Sequence, residues 1–110
     1  MPEPQEIIAR RELTGVMASG SRFAVVIEIG RPRAQGDLND NWRCSVEVTP
    51  LVHRATDIGG YDSLQSLSLA ISFAHQQLVD FVDRGGRLLY AASDAEFKLD
   101  EPLFSLPRSA

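Results

Sequence analysis

The side chains able to do chemistry are few and scattered. His53 and His75 are far apart, and neither belongs to a metal-ligand spacing such as His-x-x-x-His. Cys44 is the only cysteine, which excludes an intramolecular disulfide and any multi-cysteine zinc site. It alternates with Val46 and Val48, so it reads as an inert buried thiol and not as a nucleophile. Asp94, Glu96, Asp100 and Glu101 cluster late, but without the glycine turn of a calcium loop they read as a solvated loop. Asp37, Asn39 and Asp40 have the opening spacing of such a loop, yet no bidentate glutamate follows. A phosphate-cradling glycine motif and a serine nucleophile elbow are both absent. The sequence thus offers no catalytic residue, no metal ligand and no cofactor site, and the expectation is a protein that is not an enzyme.

Composition narrows the partners. The 110 residues fit one domain with one core, and 44% hydrophobic with 24% charged residues is an ordinary globular balance. A net charge of −4 argues against general nucleic-acid binding, which needs a basic surface to neutralise phosphates. No apolar run is long enough to span a membrane. The start of the chain is acidic and proline-rich, unlike a signal peptide. With its single thiol the chain is expected in the cytoplasm. Tails 1–5 and 107–110 are expected to be disordered around one domain, 6–106.

The element that must position everything else is a helix over 62–84. Asp62 is a good N-cap, and Gln65 three residues on can close a capping box. Leu64, Leu67, Ala70, Ile71, Ala74, Leu78, Phe81 and Val82 recur at steps of three and four, which predicts one buried stripe. Gly85 and Gly86 supply the left-handed backbone that ends a helix.

Before it, strands are expected at 6–16, at 23–29 with its dense β-branched residues, and at 42–49. In the last of these Trp42, Cys44, Val46 and Val48 alternate with polar residues. Residues 30–41 form a polar connection, and 51–57 a weak edge strand. After the helix, 87–91 is a short strand, 93–101 an acidic loop, and 103–106 an apolar stretch that needs a place to dock. The predicted fold is α+β: an antiparallel sheet of four to five strands packed on one long helix, a two-layer sandwich of order β-β-β-(β)-α-β. The helix stripe should meet the Phe23/Val25/Ile27 and Cys44/Val46/Val48 rows.

At Trp42-Arg43-Cys44, and at Gly60-Tyr61-Asp62-Ser63-Leu64-Gln65-Ser66-Leu67 followed by Leu69-Ala70, the chain resembles a family of small bacterial proteins of unknown function. The resemblance covers most of residues 10–91 and implies the same order of elements: a strand meander carrying Trp-x-Cys, a helix opening Gly-x-Asp, then a short strand after a glycine. This chain has Ser66 where alanine is usual. The resemblance implies no activity.

The functional expectation comes from the helix's other side. Leu69 and Phe73, at i and i+4, fall opposite the predicted stripe at about 100° per residue. Around them are Gln65, Ser66, Gln76, Gln77 and Asp80, where a solvated face would carry Glu and Lys pairs. Apolar enrichment with charge depletion is the mark of an interface. Three occupants are open: the chain's own 103–106 stretch, a second copy, or another protein. The expected function is therefore a small interaction or accessory protein, of which an immunity-type protein is one form, with no nucleic-acid or membrane partner. The alternative is a small-ligand or catalytic domain with its pocket between loop 31–41, Trp42 and the helix N-terminus, whose N–H groups suit an anion.

Overall fold

The β-branched and apolar-alternating segments pair as antiparallel strands, and the helix covers one face of the resulting sheet. A computed structural model describes residues 6–36 and 41–99. The elements are β1 (Ile7–Val16), β2 (Arg22–Gly30), β3 (Arg33–Ala34), β4 (Trp42–Thr49), β5 (Thr56–Gly60), α1 (Ser63–Asp83) and β6 (Arg87–Tyr90). This is the expected α+β sandwich, with six strands among the described residues. The expected disordered tails, the 103–106 stretch and Asp37, Asn39 and Asp40 lie outside the described residues.

β1 and β2 form a hairpin whose five-residue turn is closed by Met17 N–H donating to the Ser21 carbonyl at 2.8 Å. β4 is the centre of the other half. One edge pairs with β2 at Ile29–Val46 and then with β3 at Arg33–Arg43; the other edge pairs with β5. β3 is thus β2 resumed after the Gly30–Pro32 interruption, one residue out of register. β6 pairs with β1 only from Leu13 to Val16. The weak edge strand expected at 51–57 is a correction. Residues 51–54 form turns and bends after Pro50, and the strand is β5, further on. Glycine pairs such as Gly59-Gly60 carry no strand signal of their own; β5 exists because β4 leaves an edge to pair.

α1 links two edge strands, so it must cross the sheet. Its 21 residues give about 31 Å, against about 19 Å across five strand axes. Val25, Cys44, Val46, Val48, Leu13, Leu88, Ala70, Ala74 and Leu78 build the core between the layers. No helix among the described residues is long and apolar enough to cross a membrane.

The helix is rotated from the expected stripe. The buried line is Ser66–Ala70–Ala74–Leu78, a strict i+4 series. Relative to the predicted stripe this is a turn of about 50°. Leu64, expected in the core, is 72% exposed, and Ser66, expected outside, is fully buried. Phe73, expected outside, is half-buried and packs against the core. The cause is steric. Small side chains along that line let the helix backbone come close to the sheet, and larger residues fill the flanks. Hydrophobicity ranked the large residues first, while close approach selected the small ones.

The acidic loop at 93–101 also holds a surprise. Phe97 is buried, its N–H donates to the Leu88 carbonyl at 2.9 Å, and its ring meets Tyr90 edge-on at 5.3 Å.

Candidate interaction surfaces

Among the described residues the ionisable groups do not assemble a reaction centre. His53 is exposed and apart. His75 is half-buried, and its Nε2 lies 2.7 Å from the Leu99 carbonyl oxygen. A carbonyl can only accept, so this bond fixes the proton on Nε2. Cys44 is fully buried and its thiol donates to the Gly30 carbonyl at 3.2 Å. Burial raises its pKa above the ordinary thiol value, an effect that Arg33 opposes and Asp57 reinforces. It is therefore held as a neutral thiol, the form without nucleophilic power. Asp57 pairs with Arg33 at 2.8 Å and Asp94 with Arg22 at 3.3 Å. Among the described residues no three of His, Cys, Asp and Glu converge as metal ligands.

The helix N-terminus is closed by its own side chains. Asp62 accepts from the Gln65 N–H at 2.7 Å, and Gln65 Oε1 accepts from the Tyr61 N–H at 2.7 Å. The reciprocal bond of the capping box reaches Tyr61, one residue before the cap, where the expectation had Asp62. Gln65, a candidate partner contact, is thus engaged inside the chain. At the other end Gly85 has φ +98°, Gly85 N–H donates to Val82, and Gly86 N–H donates to Phe81 at 3.1 Å, a Schellman closure. Trp42 is half-buried beside β5.

The outward face of α1 carries the exposed apolar groups. Tyr61 is 71%, Leu64 72% and Leu69 44% exposed. From Ser63 to Ala74 the helix has no ionisable side chain at all. Gln76 is exposed and donates to Asp80 at 2.9 Å; Gln77 is half-buried. Of the predicted contact residues, the structure leaves Leu69, Gln65 and Gln76 on the surface and draws Phe73 and Gln77 inward. Tyr61 and Leu64 are the additions. Their signal in the sequence was the run of small residues at 66, 70 and 74, which competes with Leu64 for the buried side.

A second feature lies further along the helix, beside Ile71, His75 and Leu78. A cleft of about 250 Å³ opens between β1, β2 and α1, walled by Ile27, Ile29, Ile71, Leu78 and Phe97, with His75 at its side. Arg10 and Arg11 border it from β1. The Arg11 guanidinium stands 5.5 Å over the Phe97 ring. Arg10 sits between Glu12 at 3.7 Å and Glu28 at 3.8 Å.

Fold and surfaces together define a small α+β sandwich whose distinguishing surfaces are apolar and without a reaction centre among the described residues. The chain belongs to the family described as domain of unknown function DUF6968, whose model it matches over residues 9–100. No curated protein and no solved structure matches the chain.

Proposed function

We propose that this chain is a small protein-interaction module that self-associates through the first half of α1. The carrying observation is the exposure of Tyr61, Leu64 and Leu69 on a helix face with no charge from Ser63 to Ala74. Burying such groups against another chain is favourable at about 25 cal/mol per Å². A second copy is the partner this face suits. The whole chain carries −4, so most of its surface repels its twin, whereas this face brings no like charges together. Paired antiparallel about a two-fold axis, each Leu64–Leu69 stretch meets its own counterpart. The single thiol at Cys44 supports a reducing compartment, the cytoplasm, as the setting.

The test is light scattering coupled to size exclusion across a concentration series, on the natural chain and on Leu64→Asp with Leu69→Asp. The expected result is a dimer that the double substitution converts to a monomer. A natural chain that stays monomeric at the highest concentration, or a dimer indifferent to both substitutions, overturns the reading.

A further inference from the structure

We propose that the cleft between β1, β2 and α1 binds a small apolar carboxylate, an aryl-alkyl or short fatty acid, with its body against Ile27, Ile71 and Phe97 and its charged end on Arg11. The site is separate from the self-association face.

The strand register makes Arg11 the exception on its side of the sheet. β1 pairs with β2 at Arg10–Glu28, Arg11–Ile27 and Leu13–Val25. Leu13 and Val25 lie in the core beneath the helix. Alternation therefore turns Arg11 and Ile27 toward the helix side, and Arg10, Glu12 and Glu28 away from it. The two glutamates engage Arg10, at 3.7 and 3.8 Å, on that far side. At Arg11 a position patterned for an apolar residue carries a cation. Among the described residues it has no carboxylate partner, and its guanidinium stands 5.5 Å over the Phe97 ring. Stacking on a ring face leaves the N–H groups at the guanidinium edge able to donate. Among the described residues no Asp or Glu lines the cleft. His75 Nε2 is engaged by the Leu99 carbonyl, so Arg11 is the charge offered to a ligand.

Small residues make the room. Ala9 on β1 and Ala74 on α1 both line the cleft, where larger apolar side chains would close it. The space is about 250 Å³. An apolar cavity of about 150 Å³ takes a benzene, and sites for drug-sized ligands begin at about 300 Å³. A ring or a short alkyl chain with one acidic group fits between these limits. Access is open beside Arg11, because β6 pairs with β1 from Leu13 to Val16 and, among the described residues, no strand covers that edge before Leu13.

The test titrates 3-phenylpropionate into the full-length chain, read by nuclear magnetic resonance at the isoleucine methyls and the arginine side-chain N–H groups. The uncharged 3-phenylpropionamide and the bodiless acetate are controls. The expected result is saturable shifts at Ile27, Ile71 and the Arg11 Nε–H, with the amide bound about tenfold more weakly and acetate weaker still. Arg11→Gln should weaken the acid by about tenfold and leave the amide unchanged, and Arg11→Lys should recover part of the loss. Ala9→Leu should exclude acid and amide alike, its melting curve showing that the chain is folded. Absence of saturable shifts at the cleft, acid and amide bound alike, or an Arg11→Gln chain that binds the acid as the natural one does each overturn the proposal. So do Overhauser contacts to Ile27 and Ile71, in the ligand-free protein, from residues 103–106 or from a second copy. Leu64 lies within about 20° of Ile71 and His75 around the helix but about 10 Å nearer its N-terminus than Ile71. The chain with Leu64→Asp and Leu69→Asp should therefore bind the acid as the natural chain does, so failure here and failure of the dimer are read separately. Loss of the acid in that chain would assign the shifts to the self-association face and overturn the cleft site.

Discussion

Gly60 and Ser66 stand so close that a methyl group cannot fit between them: a Cβ built on Gly60 would lie 2.5 Å from the Ser66 nitrogen and 2.9 Å from its Cα. β5 therefore runs directly into the underside of the helix it precedes, and backbone touches backbone. Gly60→Ala should cost about 1–3 kcal/mol or more, because the atoms it would meet belong to the helix backbone and cannot swing aside. Gly59→Ala is the internal control. Its Cβ would press on the Arg43 guanidinium, at 3.1 Å, the far end of a flexible side chain, and would meet the Trp42 carbonyl at an ordinary 3.9 Å. Thermal denaturation of the two variants should separate them clearly, with Gly59→Ala near the natural chain. Equal losses would contradict the close approach.

The N-cap offers a second comparison. Asp62 satisfies the Gln65 N–H, and Gln65 returns the favour to Tyr61. Asp62→Ala is expected to lose about 0.5–2 kcal/mol, and Asp62→Asn much less, since an amide oxygen accepts the same bond. Urea titration followed by circular dichroism measures both; an Asn variant as weak as Ala would show that charge, not the hydrogen bond, is what matters here.

How far the sequence could be read follows from which forces act locally. The cap at Asp62, the glycine stop at 85–86 and the strict alternation from Trp42 to Thr49 are local signals, and each element stands where its residues put it. β5 and β3 were not legible because a neighbouring edge, not their own composition, makes them strands. The rotation of α1 was hidden for the same reason. Leu64 and Val82 lie on the same line of the helical wheel and are equally apolar, but only contact with the sheet tells that Val82 is covered and Leu64 bare. Ser66 in the buried line looks polar from sequence; its hydroxyl is satisfied by donating to the Ser63 carbonyl at 3.2 Å. Phe97 was masked by its acidic neighbours. Of the candidate surface, Leu69 was visible in advance and Tyr61 with Leu64 were not.

The rotation can itself be tested. Phe73 packs against the core, while Leu64 is nearly bare. Phe73→Asp should lose about 2–4 kcal/mol, by removing packed ring surface and placing a charge at the edge of the core. Leu64→Asp should change the stability of the monomer by no more than about 0.5 kcal/mol. Denaturant titration at a concentration where light scattering finds a monomer isolates these terms. If Leu64→Asp proves the more damaging, the stripe centred on Leu64 is restored.

Cys44 gives the alkaline limb of stability its sign. Burial makes the thiolate costly in the folded state, so the folded pKa lies above the ordinary thiol value near 9, which the unfolded chain keeps. Below that ordinary value both states hold the proton and the thiol's contribution is fully present. As pH rises from there toward the folded pKa, only the unfolded chain gives up its proton. Stability then falls by up to about 1.4 kcal/mol per pH unit from this group. Cys44→Ala, whatever its cost at neutral pH, should remove that part of the slope, so the two denaturation profiles converge as pH rises above 9. In the same range, alkylation by iodoacetamide should require unfolding, because the sulfur is fully buried and bonded to the Gly30 carbonyl. Parallel slopes for the two chains, or rapid labelling of the native protein at pH 8, would place the thiol in contact with solvent.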